Sequence, residues 1–193
     1  MVTLHSWFPP TPFDLIKLVL PPDFGHSTLQ VVDDESNETY VSFWPEPATL
    51  AGEFAHHFRV PAERFPSTYT VEIDPAGHYM RRPSDENDQI EGLDTARIAS
   101  AWKFLAQAHY DLQHWNCANV TKFLILYAMD EKYFFHLEDA ARLTAADMRE
   151  ISNFQQVRAI VRYLATRNVI DTRPDDVVHL VQVYNRLRTE GIQ

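Results

Sequence analysis

Only one cysteine, Cys117, occurs in the 193 residues, so the chain cannot close a disulfide on itself and its thiol is left free. A structural zinc, which draws mostly on cysteine, is disfavoured for the same reason, and the nine histidines show no ligand spacing. Basic residues are also scarce. Seventeen Lys and Arg against 27 Asp and Glu give a formal net charge of −10, with no basic stripe, which argues against non-specific nucleic-acid binding. Such an acidic surface suits a basic partner, or simply solubility. No stretch is long and apolar enough to cross a bilayer. Met1 to Leu20 lacks a basic start followed by an apolar run, and Pro9, Pro10 and Pro12 interrupt it, so the expectation is a soluble chain made without a signal peptide. There is no internal repeat and no low-complexity segment.

What remains is ample for a core: 45% of the residues are hydrophobic, and the length fits one domain with a small helical addition. Ser27 to Val32 and Thr39 to Trp44 are β-prone runs around the polar stretch Asp33 to Glu38, the signature of a hairpin. Thr68 to Asp74 alternates, with Tyr69, Val71 and Ile73 on one face and Thr70, Glu72 and Asp74 on the other, and predicts a third antiparallel strand. Ala48 to Phe58 reads as a short helix or loop, and Arg81 to Gln89 as a charged surface loop.

From Leu93 the period becomes helical. Asp94 is a plausible N-cap for a helix whose inward stripe is Ile98, Trp102, Leu105, His109 and Leu112. A second helix begins near Asn116 and turns Val120, Phe123, Leu124 and Tyr127 inward. Thr144 to about Ala165 predicts a third. Pro174 opens a fourth, with Asp175 and Asp176 in its first turn, Val177, Leu180, Val181, Tyr184 and Leu187 as its stripe, and Gly191 as its stop. Strands first and helices after make the fold class α+β.

Cys117 falls in the first turn of its helix, where free backbone N–H groups and the positive end of the helix dipole stabilise a thiolate and can hold an oxyanion. Such a thiol needs a base, and a histidine on a neighbouring strand, steered by a polar third residue, is the usual solution. His26, between Gly25 and the β-prone run, is the best placed. Glu72 is the preferred third member because it points away from the Tyr69, Val71 and Ile73 face, with Asp74 its rival and Tyr40 or Ser42 as fallbacks. The plainer readings stand beside these: Cys117 as a small buried hydrophobe, His26 as a hydrogen-bonded strand residue, and Glu72 and Asp74 as a solvated face. Trp102, Trp115 and the Phe43-Trp44 pair read as core or pocket wall.

The succession Gly25-His26-Ser27, Tyr40-Val41-Ser42-Phe43-Trp44-Pro45, Gly92-Leu93-Asp94, Trp102, Tyr110-Asp111-Leu112 and Asn116-Cys117-Ala118-Asn119 resembles the circularly permuted papain-like (NlpC/P60-related) families. It is most similar to the Rho-inactivation domain of multifunctional repeats-in-toxin proteins and to related fatty acyltransferase effectors, over roughly residues 24 to 128. The resemblance implies a permuted papain-like domain at 1–143, its small antiparallel sheet packed on a Cys-bearing helix, with a helical extension at 144–193. It implies His26 as general base, Cys117 as nucleophile and an acidic residue of the third strand, Glu72 by preference, as the orienting group. It also implies fatty acyl-CoA as co-substrate with no tightly bound cofactor, and a lysine of a host protein, such as a Rho-type small GTPase, as acceptor. Membrane proximity would then come through the substrate, and the place of action would be a host cell. Two alternatives share the residues: a thiol peptidase or amidase using the same Cys-His site, and a non-enzymatic adaptor on the same fold. An apolar acyl slot would favour transfer, and Phe43, Trp44, Phe54, Phe58, Trp102 and Trp115 are candidates to line one.

Overall fold

Val2, Leu4 and Ser6 alternate with Thr3, His5 and Trp7, and this period of two makes the first residues a strand, β1 (Val2–Trp7). The structure is a computed structural model that describes residues 1–8, 25–44, 59–60, 66–77, 79–108, 110–111, 116–133 and 174–190. The predicted hairpin follows as β2 (His26–Val32) and β3 (Glu38–Val41). The Asp33 carboxylate closes its turn by accepting from the N–H groups of Glu35 and Asn37, and Ser36 takes a left-handed φ of 65°. After the short strand β4 (Arg59–Val60) comes a five-residue helix, α1 (Tyr69–Ile73), and then β5 (Glu86–Ile90). The sheet order is β3-β2-β1-β5, antiparallel throughout, with Trp7 opposite His26 and Leu29 opposite Val41.

Two expectations are corrected here. Thr68 to Asp74 is not a strand: Thr68 caps α1 by accepting from the Val71 N–H, so Tyr69 and Glu72, three apart, share the inward face while Val71 is exposed. Nor is the whole of Arg81 to Gln89 a loop, because Glu86 onward pairs with β1 as an edge strand. Its charged and amide side chains are those that protect an exposed edge, which is why the segment reads as surface. The predicted helix or loop at Ala48 to Phe58, the helix at Thr144 to Ala165 and the boundary at 143/144 lie outside the described residues, as does Gly191.

The helical readings around Cys117 match the structure. Asp94 caps α2 (Thr95–Leu105) by accepting from the Arg97 N–H, and Ile98, Trp102 and Leu105 are buried. That helix ends at Leu105, short of the predicted stripe, whose His109 and Leu112 fall outside the described residues. After β6 (Tyr110–Asp111), which pairs with β4, comes α3 (Cys117–Ala128). Asn116 and Asn119 cap α3 reciprocally, each side chain accepting from the other's backbone N–H. Pro174 opens α4 (Pro174–Glu190), with Asp175 and Asp176 in its first turn.

Strand alternation gives the sheet two distinct faces. Val2 and Leu4, Leu29 and Val31, Val41 and Phe43, and Ile90 pack into one core with α2, α3 and α4. The opposite face carries Trp7, His26, Thr28, Tyr40 and Ser42, and α1 lays Glu72 against it. Val177, Leu180, Val181 and Tyr184 of α4 are fully buried in the common core. Leu180→Ala should therefore cost about 2–5 kcal/mol in urea unfolding, whereas a loss near zero would show α4 to be peripheral.

Candidate active site

Because β2 starts at His26, that side chain sits at the mouth of the sheet, on the face away from the core. It is only 2% exposed. Its Nε2 lies 3.2 Å from Glu72 Oε1 and 3.1 Å from Ser42 Oγ. With Nε2–H shared between these acceptors, Nδ1 is the nitrogen left to face the Cys117 thiol, with which the imidazole also hydrogen-bonds. The ring packs against two indoles, 4.2 Å from that of Trp44 and 5.7 Å from that of Trp7 between centroids.

Glu72 is fully buried, and its carboxylate is enclosed by donors. Tyr40 Oη donates to Oε2 at 2.7 Å, while Ser42 Oγ and Trp44 Nε1 donate to Oε1 at 2.9 and 2.8 Å. Thr28 Oγ1, 2.9 Å from Tyr40 Oη, donates in turn to the phenol. Burial alone would raise the Glu72 pKa, but the His26 charge and these hydrogen bonds win, and the carboxyl is held below its ordinary value. The same environment pushes the Tyr40 phenol far up, through burial first and the Glu72 charge second, so it stays a neutral donor.

Cys117 occupies the first position of α3, 6% exposed. Burial pushes its thiol up, and the His26 charge and hydrogen bond, with backbone hydrogen bonds from Ser27 and Ala118, bring it below its ordinary value. For His26, burial pushes down, and the facing Cys117 and Glu72 more than offset it, raising the imidazole to about 10. The mutual charges thus favour the thiolate–imidazolium form over the neutral pair, with the Glu72 carboxyl held below its ordinary value behind it, and the titrations belong to the pair.

The structure thus brings His26, Cys117 and Glu72 together, but Glu72 arrives from α1 rather than from a strand. Asp74 is excluded from the cluster: it sits exposed beyond α1, its carboxylate accepting from the Ala76 N–H. Tyr40 and Ser42 hold the carboxylate rather than replace it. The polar role of the Trp44 indole and the backbone contact of Ser27 were not anticipated. The alternation of Tyr40, Ser42 and Trp44 against Val41 and Phe43 is the signal that could have grouped the three donors. Phe43 and Trp102, by contrast, are buried in the core in contact with each other, and Phe43 also stacks on Tyr110. Phe54, Phe58 and Trp115 lie outside the described residues. No helix among the described residues is long and apolar enough to cross a membrane, and none of their His, Cys, Asp and Glu side chains group into a metal-sized site.

Comparison with family models, curated proteins and solved structures finds no match for this chain.

The electrostatics predict a thiol that alkylates with a pKa below that of an ordinary cysteine. Replacing His26 with Gln should move that pKa upward, because the opposing charge is lost while burial persists. Iodoacetamide rates across pH on folded protein check both. An unperturbed profile in the wild type would reduce Cys117 to a small buried hydrophobe.

Proposed function

We propose that the chain is a cysteine-dependent acyl-transfer enzyme on a circularly permuted papain-like fold, with Cys117 as nucleophile, His26 as base and Glu72 as orienting acid. The observation that carries this reading is the unbroken sequence of contacts from thiol to imidazole to enclosed carboxylate. In the first half-reaction the Cys117 thiolate attacks the acyl carbonyl carbon, a C–S bond forms, and the carbonyl π electrons move to oxygen. We assign the stabilisation of that charge to the N-terminal end of α3, at the backbone N–H of Cys117 itself. Collapse expels the leaving group, which takes its proton from His26, and a thioester remains. In the second half-reaction an amine attacks the thioester, gives its proton to His26 and releases the thiolate.

For the donor we favour fatty acyl-CoA, and for the acceptor a protein lysine such as one on a small GTPase, with action inside a host cell; both rest on the sequence resemblance. Transfer needs a thioester kept from water, and the burial of His26 against two indoles supports that. A second reading, a thiol peptidase or amidase, is favoured by one specific observation: Phe43 and Trp102 belong to the core and no longer argue for an acyl slot. The adaptor reading calls for an unperturbed thiol, and the His26 and backbone contacts that lower the Cys117 thiol argue against it.

Intact-mass measurement after incubation with palmitoyl-CoA tests the proposal. A palmitoyl adduct on wild type that is absent from Cys117→Ala supports acyl transfer; no adduct, with cleavage of an amide substrate instead, supports the hydrolase.

Turnover should follow a bell in pH. Its acid limb reports formation of the thiolate pair, below the ordinary thiol range, and its alkaline limb falls near 10 as His26 loses its proton. His26→Ala and Cys117→Ala should each abolish turnover, and the double variant should be no worse than either, because residues acting as one unit are not additive. Additive partial losses would assign the two residues separate structural roles.

A further inference from the structure

The nucleophile and its base approach from opposite sides of the sheet, and one stretch of backbone joins them. Strand β3 ends at Val41, opposite Leu29, so it does not extend alongside Ser27. In an antiparallel strand the N–H and C=O of one residue point to the same neighbour and successive residues alternate, so Ser27, two before Leu29, aims both groups at the side β3 has left. The first turn of α3 fills that place. The Ser27 carbonyl accepts a hydrogen bond from Thr121 Oγ1 at 3.1 Å, and the Ser27 N–H bonds to the Cys117 sulfur. Cys117 and Thr121 are four apart, so they stack on one helix face and address the two groups of a single residue.

Thr121 is 1% exposed. A threonine within a helix commonly returns its hydroxyl to the carbonyl three or four residues back, which here would include that of Cys117. Thr121 instead spans to the sheet. A hydroxyl clamped on the Ser27 carbonyl fixes both the rotation of α3 about its axis and its advance along β2, the two motions that would carry the sulfur away from the Ser27 N–H and from His26.

We propose that Thr121 is a positioning residue for the Cys117 thiolate, its hydroxyl docking α3 on the open edge of β2 so that the Ser27 N–H meets the sulfur. The inference rests on the catalytic reading of Cys117, but its test needs no substrate. Thr121→Val keeps the volume and removes the hydroxyl; Thr121→Ser keeps the hydroxyl. With full-length protein, iodoacetamide alkylation is followed across pH, and thermal unfolding is recorded for each variant. The expected result for Thr121→Val is a thiol pKa about one unit higher, hence a roughly tenfold slower reaction at pH values below both pKa values, in a folded protein. Thr121→Ser should restore the wild-type profile. If valine is not accommodated, Thr121→Ala gives the same readout with less volume. A Val or Ala profile superimposed on wild type, or a Ser variant that behaves like Val, overturns the proposal. A wild-type thiol of ordinary pKa would instead overturn the catalytic reading itself, so the two failures are distinct.

Discussion

His26 stands on one face of the sheet, and the helix bearing Cys117 packs on the other. Side chains on opposite faces of a continuous sheet cannot meet, since the backbone ladder lies between them. Contact is possible here only at an edge, and the early end of β3 supplies one at the first residues of β2. The rest of the arrangement follows from that opening. α3 must begin where β3 stops, so its first turn, with its cysteine, arrives beside the start of β2. Asn116 and Asn119 can then cap it without competing for the strand. The core residues of α3, among them Val120 and Leu124, set the depth at which the helix lies.

Three ionisable groups buried together would be costly unless each charge met a partner. In the ion-pair form the imidazolium faces two anions, and the excess negative charge is met by neutral donors: Tyr40, Ser42 and Trp44 at the carboxylate, Ser27 and Ala118 at the sulfur. None of these donors titrates in the neutral range, so the carboxylate and thiolate stay supported while His26 exchanges its proton. Ser42 shows how tightly the set is matched. Its hydroxyl gives its single proton to Glu72, which leaves its lone pairs for Trp44 Nε1 and for His26 Nε2–H.

Much of this was legible in the sequence where one local rule dominated. Asn116 as a cap placed Cys117 in a first turn, and the apolar stripes of α2 and α4 fixed their inward faces, because capping and periodicity act within a few residues. The α1 segment reads as a strand because the apolar Tyr69, Val71 and Ile73 alternate with polar residues, while what decides its shape is distant: His5 of β1 stacked on Tyr69 at 4.1 Å and the donors around Glu72. Strand β5 was missed for the opposite reason. Its residues have no apolar alternation, and only pairing with β1 makes Glu86 to Gln89 extended. Glu72 is the preferred third residue on the argument that it opposes the Tyr69 face, whereas in the helix it shares that face and reaches His26 by a different geometry.

That difference bears on how the Glu72 carboxylate is held in place. On a strand next to β2, a carboxylate would be fixed by the same ladder that fixes His26, and neither could shift without the other. On α1 it is placed by separate contacts: the Tyr69 ring on His5, the Tyr69 hydroxyl against Ser84, and the Glu72 carbonyl accepting from the Arg81 N–H. Arg81 holds a left-handed φ of 58°, a conformation a non-glycine residue adopts at a cost, so this chain crossing is kept by its contacts rather than by its own preference. The thiol and imidazole are thus aligned by the open edge of β2, and the carboxylate by an independent anchor on β1. A change in the anchor would alter how firmly the imidazole is oriented while leaving the thiol and its backbone donors in place.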